Sequence, residues 1–453
     1  MPSEVPCPSV DLAPSPGHGC AAQRIGGSPR TTVFLAVVLA TCAIAQAFRT
    51  ATPNVGIDYY QFWAVGRAIA QHQTTDLYSA QGRAQLGANY LAEALRSPDV
   101  VHRSVAIQRR VFDTTATPFL YSLFGAWSTS DYTANLRAFR ALLLGCFVFS
   151  VLALSRLLRQ AAANSLLCLA LLCLWFEPLA SDLRVGNVGC LQLSGVVIYA
   201  WVRLKVVERY RATLAGLFMG LLIAFKPNLA FVALLPLGSS LLRREVKALL
   251  CELTGITLGL AIAVAYTIGV IGQLHVWFDW FTALRNVPSE IITADYGNYA
   301  PLVIVGSKLG WFAGPAVGLA LLTAVTLGYC LRAPSSRNLV LDAMHTEAHG
   351  RFWLLSLGCL GPVLLPHLAW LHYFVMTLPA LLFVMSSCQH QTADSRRRWR
   401  ISLTAVAWLG LSFNPLTTLG LAFTNAMYGK LIIVASVALL AATVAFFRPE
   451  ASN

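Results

Sequence analysis

Charge is scarce in this chain of 453 residues. Asp, Glu, Lys and Arg make up only 12% of it, while 57% is hydrophobic and the mean hydropathy is +0.62. Ordinary soluble domains carry about 25% charged residues. A soluble chain of this length would need roughly three domains, each with a polar surface, and the polar residues for those surfaces are missing. Soluble multidomain, disordered and collagen-like classes are excluded. Metal-site spacing is also lacking. The eleven cysteines are scattered through apolar runs, with no CxxC and no Cys/His spacing suited to zinc, so they read as packing residues. No internal sequence repeat is visible, which counts against a repeat-built transporter.

What is present is a series of apolar runs separated by basic clusters. The first run spans Thr32–Ala47, and others follow at about 138–155, 164–180, 188–202, 212–225, 229–242, 248–271, 310–330, 352–366, 371–387, 401–415 and 430–447. Together they predict an all-α polytopic membrane protein with about twelve transmembrane helices and both termini on one side. The first run ends in Ala45-Gln46-Ala47, a sequence like a signal-peptidase site. A cleaved signal peptide is therefore the competing reading to a retained first helix. Residues 1–30, rich in Pro, Gly and Ser, read as a disordered cytoplasmic tail; 31–448 read as one transmembrane domain and 449–453 as a second cytoplasmic tail.

The net charge of +13 does not form a single patch. It lies in clusters such as Arg156/Arg159, Arg203/Lys205/Arg209/Arg211, Arg243/Arg244/Lys247 and Arg396/Arg397/Arg398/Arg400. Aromatic residues that would stack bases do not interleave these clusters, so nucleic acid is not an expected partner. With the N-terminus inside, tails and cytoplasmic loops hold 19 of the 33 Lys and Arg, and the short external loops hold 5. This is the positive-inside asymmetry. It makes residues 49–136 a long first extracytoplasmic loop with short amphipathic or re-entrant segments, exempt from the rule by its length. Within it, Phe119–Trp127 is apolar but too short to span as a helix and reads as re-entrant or interfacial.

This threading gathers unusual polar residues on the external face: Asp58, Glu177, Asp182, Arg184, Lys226, Asp279, Arg285, Glu290, Asp295, His367, Trp370, His372 and Asn414. Charges at a membrane boundary are costly and usually functional. A carboxylate with several cations at one interface suits an anionic headgroup and a proton acceptor. Each residue also has a plainer reading. Asp58 can cap a helix, Lys226 can snorkel and His372 can be a packing histidine. Arg184 can simply pair with Asp182 or Glu177, and Trp370 can belong to an interfacial belt. A transporter or flippase, and a membrane scaffold, are the alternatives to an enzyme.

The segment Gly56-Ile57-Asp58-Tyr59-Tyr60-Gln61-Phe62-Trp63-Ala64-Val65-Gly66-Arg67-Ala68, followed by Asp76-Leu77-Tyr78, resembles the opening of glycosyltransferase family 87. That family comprises polyprenol-phosphate-dependent mannosyl- and arabinofuranosyltransferases of the GT-C superfamily. Three more segments agree in order: Leu183-Arg184-Val185-Gly186-Asn187, Ala224-Phe225-Lys226-Pro227-Asn228 and Trp370-Leu371-His372-Tyr373. The resemblance covers roughly residues 31–390. It departs at Gly186-Asn187-Val188-Gly189, where Gly-Gln-x-Asn is usual, and at Ala116-Thr117-Pro118, where Tyr-Pro-Pro is common; both changes bear on donor or acceptor preference.

The resemblance implies a GT-C-type fold and transfer of a sugar, mannose first by family, from a polyprenyl-phosphate donor to an extracytoplasmic hydroxyl of a glycolipid or polysaccharide. It implies inversion, with Asp58 as general base. Lys226, His372, Arg184, Asn187, Tyr59 and Trp370 become candidate donor-phosphate or substrate residues. No Asp-x-Asp pair accompanies Asp58, so neither a metal nor another cofactor is expected. The expected location is the plasma (inner) membrane, among membrane lipid.

Overall fold

A computed structural model of the chain describes residues 29–72, 76–285, 298–300, 320, 350–366, 368–389, 395–412 and 425–445. Every regular element among them is helical. The first helices are α1 (Pro29–Ala51), α2 (Ile57–Ala70), α3 (Ala80–Arg96), α4 (Val100–Gln108), α5 (Pro118–Trp127) and α6 (Tyr132–Leu157). Then come α7 (Ala162–Trp175), α8 (Glu177–Val185), α9 (Gly189–Lys205), α10 (Glu208–Phe225), α11 (Ala230–Leu242), α12 (Val246–Ile271) and α13 (Val276–Arg285).

Among the described residues, four helical stretches are long and apolar enough to cross a membrane: Arg30–Ala51, Tyr132–Leu157, Val246–Ile271 and Leu371–Cys388. A fifth span results if α7 and α8, bent by 59° at their junction, act together. Shorter apolar helices occupy Tyr210–Phe225, Pro227–Leu242, Gly350–Leu364 and Gly429–Ala445, on runs expected to be helical. The expected run 310–330, except for residue 320, and both tails, except for Pro29 and Arg30 at the start of α1, lie outside the described residues.

The stretch 49–136, expected as a loop with short amphipathic or re-entrant segments, holds four helices of its own. Each starts for a local reason. The Ser79, Asp99 and Thr117 side chains cap α3, α4 and α5 by accepting from Gly82 N, from Val101 and His102 N, and from Leu120 N. Pro118 occupies the first turn of α5, where its missing N–H costs nothing. Thus the apolar run Phe119–Trp127 is a short helix. It packs along α2, with Gly66 so close to the Phe124 backbone that a Cβ there would stand 2.6 Å from the carbonyl. Tyr59, Tyr60, Trp63, His102, Tyr132 and Phe139 fill the space between α2, α4 and α6 with stacked and edge-on rings.

Breaks in the apolar helices fall at prolines and glycines. Lys226 precedes Pro227, and the proline ring disfavours helical backbone at the preceding residue. Lys226 is accordingly extended (φ −152°, ψ 111°), and α10 ends there. Gly186 ends α8 in the left-handed conformation at φ +68°, with its N–H on the Asp182 carbonyl at 2.9 Å. A Cβ on Gly186 would lie 2.6 Å from the Cβ of Tyr59. Gly56, at φ +71°, performs the matching turn before α2. The Gly186 break lies against Tyr59 just after the Gly56 turn, and Lys226 lies over Tyr373, so the breaks bring polar residues together.

Candidate active site

Asp58 sits in the first turn of α2, where a carboxylate is favoured by the exposed N–H groups of the helix start. Its side chain is 19% exposed and faces three other elements. Arg109, just past α4, donates from Nη2 to Asp58 Oδ1 at 3.1 Å. Asn187, in the turn between α8 and α9, donates from Nδ2 to Oδ2 at 2.8 Å. His372, at the start of the 3₁₀ helix Leu371–Thr377, holds Nε2 at 3.9 Å from Oδ2. That distance is too long for a hydrogen bond, and His372 Nε2 is buried with no partner among the described residues.

Lys226 approaches from the α10 break. Its Nζ lies 3.6 Å from the centroid of the Tyr373 ring, a cation–π contact, within electrostatic reach of Asp182 and Asp58. Asp182 is fully buried on α8 and accepts from the Gly189 and Cys190 N–H groups at 3.1 and 2.8 Å, fixing the start of α9 beside Asn187. The His372 carbonyl closes the same space, since a Cβ on Gly189 would meet it at 3.0 Å.

Not every sequence candidate joins this cluster. Arg184 pairs with Glu177 at the other end of α8. Tyr59 points into the aromatic core, donating to Asn135 Oδ1 at 2.9 Å and accepting from Trp127 Nε1 at 3.2 Å. Burial pushes its phenol well up, partly offset by the Trp127 hydrogen bond. Trp370 is half-buried and accepts through its carbonyl from Tyr373 N at 2.8 Å, opening the 3₁₀ turn that carries His372. His367, Glu290, Asp295 and Asn414 lie outside the described residues. Among the described residues, no group of three or more His, Cys, Asp or Glu gathers as a metal site would.

Two arginines carry structure that spacing alone did not single out. One is Arg109. The other is Arg140 on α6, 1% exposed, whose guanidinium donates to the carbonyls of Leu183, Arg184, Thr52 and Asn54 at 2.8, 3.1, 3.4 and 2.8 Å. It joins the end of α8 to the turn before α2, and so sets Asn187 against Asp58. Beside the polar cluster lies an apolar cavity of about 320 Å³ between α5, α6, α9 and α10, lined by Phe119, Phe124, Trp127, Phe139, Leu222 and Phe225 among others. Phe225 adjoins Lys226, so the cavity abuts the cationic break.

The family model of glycosyltransferase family 87 matches residues 115–356, more than half of the chain. The chain belongs to glycosyltransferase family 87. The matched stretch includes Arg184, Asn187 and Lys226, whereas Asp58, Tyr59, Trp370 and His372 lie outside it and rest on their own motifs. No curated protein and no solved structure matches the chain. The protein is thus a glycosyltransferase, with apolar helices of a multi-pass membrane protein. Arg109, Asn187 and His372 surround the partly exposed carboxylate of Asp58.

Proposed function

We propose that this family 87 glycosyltransferase moves a sugar, mannose first, from a polyprenyl-phosphate donor to a hydroxyl of a glycolipid or polysaccharide on the extracytoplasmic face of the plasma membrane. One observation carries the reading: Asp58 is a partly exposed carboxylate to which helix α2, the α4 end, the α8–α9 turn and the His372 segment all converge. Asp58 takes the proton of the acceptor hydroxyl. The hydroxyl oxygen forms its bond to the anomeric carbon from the face opposite the phosphate. The anomeric C–O bond breaks, and its electron pair leaves on the phosphate oxygen of polyprenyl phosphate. The sugar is inverted.

Charge grows on the departing phosphate, and preorganised donors are worth most where charge develops. Lys226 and His372 stand beside Asp58 for this purpose, and Asn187 orients the carboxylate through Oδ2. The apolar cavity next to Lys226 takes the first isoprene units of the tail, because its lining is almost wholly hydrocarbon. The GT-C arrangement of about twelve helices, with both termini cytoplasmic, is part of this proposal. So is independence from a metal or other cofactor.

The test is a donor panel. Purified protein in lipid receives labelled polyprenyl-phosphate mannose or polyprenyl-phosphate arabinofuranose, with a membrane glycolipid extract as acceptor. Label moving from the mannose donor into glycolipid or polysaccharide supports the reading. Transfer only from a nucleotide sugar contradicts it.

A further inference from the structure

Arg109 contacts Asp58, yet the scheme above gives it no task. Its position is specific. Nη1 donates to Asp113 Oδ2 at 2.8 Å and Nη2 to Asp58 Oδ1 at 3.1 Å, while Nε is buried without a partner among the described residues. The Nε–Nη2 edge is the fork of a guanidinium that matches carboxylate or phosphate with two parallel hydrogen bonds. Here only one prong of that fork is used. Asp113, the other anchor, is held on α2 itself: Gln61 Nε2 donates to the Asp113 carbonyl at 2.6 Å, and Asp113 N donates to Gln61 Oε1 at 3.0 Å. Gln61 lies one turn along α2 from Asp58. The arginine is thus anchored at Asp113, whose backbone is fixed on α2, and reaches Asp58 by the longer of its two carboxylate contacts.

The Asp58 contact conflicts with base chemistry. Arg109 engages Oδ1 and Asn187 engages Oδ2, so both oxygens of the carboxylate already accept a hydrogen bond from the protein. While Arg109 holds Oδ1, an acceptor hydroxyl must compete with a charge-assisted hydrogen bond for that oxygen. A phosphate brought next to Asp58 offers Arg109 more negative charge and room for both prongs of the fork. We propose that Arg109 is a donor-phosphate ligand that pairs with Asp58 until the donor arrives, then swings about Asp113 onto the phosphate, freeing Asp58 Oδ1 for the acceptor hydroxyl. This rests on the donor and base assigned above. It adds an order to them: base release follows donor binding.

The test reads binding without transfer. Farnesyl phosphate, farnesol and inorganic phosphate are titrated into the protein in nanodiscs. The variants are Arg109→Ala, Arg109→Lys, Asp58→Asn and the double Asp58→Asn/Arg109→Ala, with thermal melts showing that each is folded. Wild type binds farnesyl phosphate and not farnesol; tighter binding of farnesyl phosphate than inorganic phosphate assigns the site to a lipid phosphate. Arg109→Ala weakens farnesyl phosphate by about 10- to 100-fold, the size of a lost charge-assisted contact, and Arg109→Lys recovers part of it. Asp58→Asn tightens binding, and the gain shrinks when Arg109 is absent, a coupling that removal of Asp58 repulsion alone does not produce.

Affinity within about twofold of wild type in folded Arg109→Ala, a change below 0.5 kcal/mol, overturns the role of Arg109 and leaves the donor reading standing. Equal gains from Asp58→Asn with and without Arg109 overturn the exchange. Wild type that binds no farnesyl phosphate overturns the donor reading and this inference with it.

Discussion

Arg140 shows how much of the site depends on a residue that never reaches it. Its guanidinium is buried and satisfied by four carbonyls from two chain turns. Arg140→Leu leaves those carbonyls unpaired, at about 1–3 kcal/mol for each group that stays dry. A fall in melting temperature in nanodiscs checks this, and an unchanged melt contradicts it. Gly186→Val is a second residue-scale case. It forces a β-branched side chain to φ +68° and into the Tyr59 Cβ, so transfer and stability both drop, the former read by label transfer and the latter by the melt. Asp58, Asn187, Lys226 and His372, which the fold brings together, could be picked out as candidates because each stands in a short motif. Arg109 could not, because its contact with Asp58 is a pairing across 51 positions, which leaves no local pattern. Arg184, though it stands in a motif, pairs with a carboxylate seven residues away on its own short helix.

At the scale of elements, helix breaks decide where chemistry is placed. Prolines at 118, 178 and 227 and glycines at 56 and 186 could be read directly as interruptions. What they do together depends on packing. The parallel helices α10 and α12 meet through Gly216 and Gly220 on one and Gly255 and Gly259 on the other, with each added Cβ meeting the partner backbone. This small-residue contact holds helices together where lipid removes the hydrophobic drive. Gly255→Leu pushes α10 away, displaces the Lys226 break and lowers donor affinity, measured by farnesyl phosphate titration against a distant Leu substitution on α1. The helix α4 gives a pH prediction. Burial pushes the His102 imidazole below its ordinary value, with Arg67 adding to this and Glu93 and Asp99 opposing. Between that lowered value and about 6.5, the unfolded chain binds a proton that the folded one excludes, so stability falls as pH drops through this window. Melts at pH 7.5 and 5.5 check it, and His102→Phe flattens the difference.

For the whole molecule, composition settled the class before any motif did, because a chain with so few charges has no polar coat for a soluble surface. The number of spans was less legible. Runs near the lower length limit form helices that reach the membrane-crossing criterion only in part, since a bundle buries short and broken helices among its neighbours and does not require each to span alone. The long stretch after the first helix was legible as distinct but not as four helices, because its apolar face is spread over short amphipathic pieces.

The proposed orientation makes its own prediction. In a cysteine-free background, a cysteine at Arg96, exposed on α3, reacts with a membrane-impermeant maleimide on intact cells, and one at Lys205, exposed at the end of α9, reacts only after permeabilisation. The reverse pattern contradicts an external site.

The central claim is that Asp58 is the proton acceptor of a glycosyl transfer. The most direct measurement compares single-turnover transfer by wild type and Asp58→Asn, with donor binding and folding measured on the same samples. The account predicts a folded variant that binds donor at least as well as wild type and transfers about 10²–10⁴-fold more slowly, the range a general base supplies. A folded, donor-binding Asp58→Asn that transfers within about tenfold of wild type, below that range, would contradict it.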